Sequence, residues 1–184
     1  MGPTFLALFV ASSLPISIDL SLPKSTYRSG EEVIFVAKVK NLTKVPVEMV
    51  AERDSMNWKC KAPYCFLEQK LPDGNWEALI MKNVGRCGNS NPLCVSDFLT
   101  IAPGKTGEIL QGMPWSKYEV NQCLKNPGKY VVRLRYDSTP DLKNWIGGPV
   151  VENEELKIFE AVQSHYAKTP KGIFVSNEVT LTVQ

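Results

Sequence analysis

Apolar and polar residues alternate in short stretches of this chain, and a glycine or Pro-Gly turn precedes the clearest of them. After Gly30, the odd-numbered positions from Val33 to Val39 are all apolar, whereas Lys38 and Lys40 lie on the other face. Successive side chains of a β-strand point to opposite faces of the sheet. This period of two therefore predicts a strand with one face buried and the other in water.

The same pattern recurs in other parts of the chain. In residues 130–136 the even-numbered positions predict an inward row, while Arg133 and Arg135 face outward. Residues 16–22 predict an edge strand, and residues 173–183 predict the last strand. No βαβ alternation accompanies these strands, so the pattern favours antiparallel sheets.

Two turn sequences predict hairpins. Pro72-Asp73-Gly74-Asn75 separates two strand-like stretches, and Asp-Gly suits a turn that needs a positive φ. Ala102-Pro103-Gly104-Lys105 likewise separates residues 98–101 from residues 106–110 and predicts a second hairpin.

An insertion over residues 137–172 interrupts the pattern before the last strand. It contains a predicted helix with Asn153 as N-cap, because Glu154 and Glu155 favour the positive end of a helix dipole. Pro170 fits the end of that helix. Together the elements predict an all-β fold, namely an immunoglobulin-like Greek-key β-sandwich with one helix-containing insertion before the last strand.

The N-terminal residues bear on the compartment. Residues 5–10 are apolar and residues 11–13 are small, although no lysine or arginine precedes them. Residues 1–15 therefore form either a signal peptide or an N-terminal apolar segment that packs onto the sandwich, and residues 16–184 form a single domain. The run is too short to span a bilayer, so no membrane insertion is predicted.

Composition narrows the classes of partner. The net charge is +2, from 21 basic and 19 acidic residues that are scattered without long blocks. Nucleic-acid binding usually requires a concentrated basic face, so no nucleic-acid partner is predicted. The partner expected from the sequence is a protein or a glycan.

Five cysteines lie in the middle of the chain: Cys60, Cys65, Cys87, Cys94 and Cys123. In an oxidising compartment they would cross-link long loops, which predicts a secreted, periplasmic or cell-envelope protein. The local pairs Cys60–Cys65 and Cys87–Cys94 compete with Cys60–Cys87 and Cys65–Cys94, and Cys123 is left unpaired in both. Buried thiols and a zinc site are the alternatives, although no close Cys-x-x-Cys pair is present.

No catalytic arrangement is evident in the sequence. The only histidine, His165, lies on the predicted helix, and its neighbour Ser164 points elsewhere on that helix. No nucleophile elbow, phosphate-binding loop or zinc-protease motif occurs, while a distant carboxylate pair stays open. The sequence therefore predicts a non-enzymatic protein without a cofactor or a metal.

Two features suggest interactions. Trp145 lies in a glycine-bearing stretch, and an exposed aromatic residue in such a loop can anchor a partner. Asn41-Leu42-Thr43 is a glycosylation acceptor pattern, which has meaning in a eukaryotic secreted protein.

The stretch from Gly30 to Val47, with its Asn-polar-polar turn and Pro-Val strand, resembles the opening strands of bacterial immunoglobulin-like envelope domains. Pro103-Gly104 and Pro127-Gly128-Lys129-Tyr130 also resemble the bacterial intracellular proteinase inhibitor family, a β-sandwich group. The resemblance implies an exported binding or structural domain of the cell envelope. The alternatives are a proteinase inhibitor with a disulfide-stapled loop, Cys60 to Cys65 or Cys87 to Cys94, and a carbohydrate-binding module that uses Trp145.

Overall fold

Strands dominate the secondary structure, as the alternating pattern predicts. The structure, a computed structural model, describes residues 14–51, 56, 61–80, 93–110, 120–146 and 152–184. In this part of the chain there are eleven strands, two 3-10 helices and one long α-helix. In chain order these are β1 (Ile16–Ser21), β2 (Thr26–Tyr27), β3 (Val36–Asn41), β4 (Val47–Val50), β5 (Tyr64–Lys70), β6 (Trp76–Ala78), a 3-10 helix (Val95–Asp97), β7 (Phe98–Ile101), β8 (Thr106–Leu110), β9 (Gly128–Asp137), a second 3-10 helix (Leu142–Asn144), α1 (Glu152–Ala167), β10 (Ile173–Val175) and β11 (Val179–Val183).

The first sheet has three strands in the order β1-β3-β8, and both pairings are antiparallel. The register places Ile18 opposite Val39, and both side chains are buried. Lys38 on the other face is exposed. The inward row predicted from Val33 to Val39 is therefore confirmed.

The second sheet has six strands, and β9 is its centre. Its order is β2-β11-β9-β5-β6, and β10 also pairs with β9. β9 is antiparallel to β5, β10 and β11, whereas the short β2 runs parallel to β11. Val132, Leu134 and Tyr136 are each 0% exposed, as predicted for the inward row of β9.

The inward faces of the two sheets contribute to one hydrophobic core, which is consistent with a β-sandwich. Asn177, between β10 and β11, joins the sheets at one edge. Its Nδ2 donates to the Leu20 carbonyl at 2.9 Å, and its Oδ1 accepts from the Leu20 amide at 2.7 Å. The side-chain amide thus satisfies the outward backbone groups of edge strand β1 at this residue.

The turn at residues 102–105 does not make a hairpin, so that prediction is wrong. β7 pairs with β4, with Val47 opposite Ile101, whereas β8 pairs with β3 in the first sheet. The turn therefore connects the two-stranded sheet of β4 and β7 to the first sheet. The hairpin at Gly74 is confirmed, since β5 and β6 pair across it and Gly74 has a φ of 86°.

The edge of β4 that does not pair with β7 is bound to the second sheet. The Val50 amide donates to the Tyr136 hydroxyl at 3.1 Å, which ties β4 to the centre of the second sheet. Tyr136 is fully buried, and burial raises the pKa of its phenol.

Helix α1 lies in the insertion, as predicted, but begins at Glu152 rather than after Asn153. An N-cap residue has a non-helical backbone, so the prediction of Asn153 as N-cap is wrong. Val162 is buried, and Phe159 and Tyr166 pack partly buried against the core. These three residues form the side of the helix that faces the core.

Candidate functional site

Asn41 organises the turn that follows β3. Its side chain is fully buried, and its Nδ2 donates to the Val45 carbonyl at 2.8 Å and to the Ile101 carbonyl at 2.9 Å. Its Oδ1 accepts from the Thr43 amide at 2.8 Å. These bonds fix the turn so that Leu42 and Val45 face solvent, with exposed fractions of 49% and 62%.

The same bonds account for the glycosylation acceptor pattern at Asn41. Glycan attachment needs an accessible amide nitrogen, whereas the Nδ2 of Asn41 is buried and already donates to two backbone carbonyls. Thr43, the third residue of the pattern, has its hydroxyl 2.8 Å from Asn41 Oδ1. In the folded chain this triplet therefore serves the turn.

A solvent-open groove of about 790 Å³ lies beside this turn. We call it the loop-end groove; its lining is Pro15, Thr43, residues 45–48, Thr100 and residues 167–170. Backbone hydrogen bonds join these distant segments: the Glu48 amide donates to the Lys168 carbonyl at 3.2 Å, and the Leu42 amide donates to the Pro15 carbonyl at 2.9 Å. The turn after β3, strand β4 and the chain that leaves α1 thus form one surface.

A buried carboxylate lies in the wall of this groove. Glu48 is 3% exposed, and Thr100 donates its hydroxyl to Glu48 Oε2 at 3.2 Å. His165 places its Nδ1 3.5 Å from Glu48 Oε1, and its ring packs against Phe98 with 5.1 Å between centroids. A buried carboxylate needs such polar neighbours to offset its lost hydration. His165 is therefore a half-buried neighbour of Glu48 rather than an exposed residue.

The rim of the groove is apolar. Val45 lines it, and Leu14 and Leu42 directly precede the lining residues Pro15 and Thr43. All three are among the seven large hydrophobic residues that are exposed in the described part of the chain. Leu14 and Val45 are the most exposed of these, at 63% and 62%. Exposed apolar residues that cluster at a concave surface mark sites of interaction. In the sequence, the only sign of this surface was the presence of the apolar residues Leu42 and Val45 in the turn after β3.

Trp145 is not exposed, so the prediction of an exposed anchor is wrong. Its exposed fraction is 0%, and its indole Nε1 donates to the Pro140 carbonyl at 3.0 Å. Its ring meets Tyr166 edge-on, with 4.9 Å between centroids. Trp145 directly follows the 3-10 helix Leu142–Asn144, and Tyr166 of helix α1 packs against it. A buried ring cannot stack on a sugar, which removes the platform proposed for the carbohydrate-binding alternative.

Lys171 closes the aromatic cluster of Trp145 and Tyr166. Its Nζ lies 3.0 Å from the centroid of the Tyr166 ring and 4.4 Å from that of Trp145. Burial lowers the pKa of Lys171 to about 8, and the negative charge of Asp141 offsets part of that shift. These contacts join Lys171, near the end of the insertion, to Trp145, near its beginning.

The cysteines are only partly described. Cys65 is buried in β5 opposite Tyr136, Cys94 is exposed and Cys123 is partly buried. No disulfide joins any two of these three residues. Cys60 and Cys87 lie outside the described residues, as does most of the proposed inhibitory loop Cys87 to Cys94. Residues 61–65 of the other proposed loop are described and none of them is exposed, so the prediction of an exposed loop there is wrong. The predicted pair Cys65–Cys94 is therefore not formed, whereas the pairs that include Cys60 or Cys87 and the predicted unpaired Cys123 stay predictions.

Comparison with known proteins gives no relative: no protein-family model matches the chain, and no curated protein does. The resemblances stated above therefore remain predictions. Among the described residues, no group of three or more His, Cys, Asp or Glu side chains is placed to hold a metal ion. None of the described helices is both long and apolar enough to cross a membrane.

Proposed function

We propose that this protein is an exported, non-enzymatic domain of the immunoglobulin-like class that binds a protein partner through the loop-end groove. The observation that carries the proposal is the apolar rim of that groove, with Val45 62% exposed at the tip of a turn that Asn41 holds rigid. A pre-formed apolar surface loses little conformational entropy on binding.

The order of the strands supports the immunoglobulin-like assignment. In such domains one sheet contains strands A, B and E as neighbours, and the other contains G, F and C, with C′ added in variable-type domains. The first sheet here, β1-β3-β8, has the order expected for A-B-E. The path β11-β9-β5-β6 in the second sheet has the order expected for G-F-C-C′.

A tyrosine at the start of β9 gives independent support. Tyr130 is the third residue of β9, and its hydroxyl donates to the Asn126 carbonyl at 2.8 Å, four residues upstream. Immunoglobulin-like sandwiches have such a tyrosine corner near the start of strand F, which is the strand that β9 would be.

The position of the groove fits a binding role in this class. With β3 as strand B and β9 as strand F, the turn 42–46 begins the B–C connection and the insertion 138–172 is the F–G connection. These two connections lie at the end of the sandwich that carries the recognition loops of variable domains. The loop-end groove lies between them.

Selection of peptides tests the proposal. A phage-displayed library of random dodecapeptides is panned on the immobilised full-length protein, and selected peptides are compared on Val45→Asp. Burial of a valine side chain contributes about 1.5–3 kcal/mol, so the variant should bind them at least about tenfold more weakly. Val45 is largely exposed, so its replacement spares the core.

The matched control is Ile34→Asp. Ile34 is 43% exposed and lies two residues before β3 begins, whereas Asn41 is the last residue of that strand. We expect this control to bind the selected peptides within about twofold of the wild type. Peptides that bind both variants equally, or the absence of any enriched peptide, would contradict the proposal.

Export is tested separately by counting thiols in denaturant with and without reductant. We expect four cysteines to react only after reduction, because the cysteine-rich middle suits an oxidising compartment. Five thiols that react without reductant would contradict export while leaving the binding proposal in place.

A further inference from the structure

The rim of the loop-end groove is basic as well as apolar. Lys168 lines the groove, and Lys44 lies in the chain between the lining residues Thr43 and Val45. Both lysines are exposed, and neither forms an ion pair with any residue that the structure describes. The acidic residue that lines the groove, Glu48, has a side chain only 5% exposed, accepts a hydrogen bond from Thr100 and lies 3.5 Å from His165 Nδ1. The charge that this surface offers to a partner is therefore positive.

The end of helix α1 offsets this charge only in part, because some of its terminal carbonyls already have partners. The C-terminal carbonyls of a helix carry partial negative charge when they lack partners. Here the Lys168 amide donates to the His165 carbonyl at 3.1 Å, and the Thr169 amide donates to the Tyr166 carbonyl at 3.1 Å. The Lys168 carbonyl accepts from the Glu48 amide. The carbonyls of His165 and Tyr166, two of the last four in the helix, thus have partners within the chain.

We propose that the occupant of the loop-end groove is an extended peptide segment that carries a carboxylate next to an apolar side chain. The apolar side chain contacts Val45 and the prolines of the lining, and the carboxylate lies between Lys44 and Lys168. This inference rests on the proposed function, because it specifies the chemistry of the partner for the same groove.

A polyanion such as nucleic acid fits less well. Its binding requires a stripe of cations that follows the phosphates. This rim has two lysines, with exposed aliphatic residues beside them. Opposite charge at the rim of an apolar site instead selects among peptides and accelerates their association.

The test uses synthetic copies of a Val45-dependent dodecapeptide from the library, labelled with a fluorophore. One copy keeps its acidic residues, and in the other Asp and Glu are replaced by Asn and Gln. Fluorescence anisotropy gives the Kd for the full-length protein, for Lys44→Glu/Lys168→Glu, and for the control Lys125→Glu/Lys129→Glu. The control lysines are exposed at the opposite end of β9.

Each exposed ion pair contributes up to about 1 kcal/mol, so reversal of both rim lysines should weaken binding of the acidic copy about tenfold or more at low salt. The effect should shrink at 0.3 M salt and be absent for the neutral copy, with the control within about twofold. Val45-dependent peptides without carboxylates, or binding that the rim reversal leaves unchanged, would overturn the inference but not the proposed function. If no selected peptide depends on Val45, both fail.

Discussion

Replacement of Asn41 by alanine should destabilise the protein by about 3 kcal/mol. The side chain is fully buried and makes three hydrogen bonds with the backbone, to the Val45 and Ile101 carbonyls and from the Thr43 amide. Loss of each bond costs about 0.5–1.5 kcal/mol, and the buried groups left without a partner place this site in the upper part of that range. Because Val45 and Ile101 belong to segments far apart in sequence, the loss also loosens the turn that forms the groove.

Urea unfolding followed by circular dichroism measures this change, and the slope with denaturant should stay constant. For a chain of 184 residues the expected fall in Tm is about 6–12 °C. The matched control is Thr43→Ala, which breaks the same glycosylation pattern but keeps all three backbone bonds of Asn41, and it should cost less than about 1 kcal/mol. The reasoning would be refuted if Asn41→Ala and Thr43→Ala destabilised the protein equally.

Three further predictions concern other parts of the fold. Asn177→Ala should destabilise the protein by about 1–3 kcal/mol and speed hydrogen exchange of the Leu20 amide, because both hydrogen bonds between Asn177 and Leu20 are lost. Unchanged exchange of the Leu20 amide would contradict the role of Asn177 in joining the two sheets. Trp145→Ala should cost about 3–5 kcal/mol in urea unfolding, as expected for a core residue, whereas a cost below about 1 kcal/mol would indicate a surface role. Lys171 has a pKa of about 8 in the folded chain, against an ordinary value of 10.5. The unfolded chain therefore binds more protons than the folded chain between pH 8 and pH 10.5, and the free energy of unfolding should rise with pH over this range. Lys171→Met should lose this rise relative to the wild type when urea unfolding is compared at pH 7.5 and pH 10, and parallel changes in both proteins would contradict the lowered pKa.

Sequence periodicity was sufficient to predict which side chains are buried in the strands. The rows from Val33 to Val39 and from Val132 to Tyr136 face the core as expected. This succeeds because the period of two is a local property of an extended chain, independent of which strands pair. The turn at Gly74 was also predictable, since a positive φ is required between two strands that are already adjacent in sequence.

The pairing of the strands was harder to predict from the sequence. Gly104, like Gly74, has a positive φ, of 69° against 86°, yet only the turn at Gly74 closes a hairpin. The two turns have similar local chemistry, and the difference lies in the partners of the flanking strands. Val47 lies opposite Ile101, and both side chains are buried. No local pattern encodes this pairing.

By itself, then, the sequence determined the class of secondary structure, the buried face of each main strand and the place of the helix. The tertiary structure decided that Trp145 is buried, because Pro140 supplies the acceptor for its indole and Tyr166 covers its ring. It also decided where the groove is, since Pro15, the turn after Asn41 and Lys168 meet only when the sheets have formed. Local periodicity is written in neighbouring residues, whereas a surface built from segments more than 100 positions apart exists only after the chain has folded.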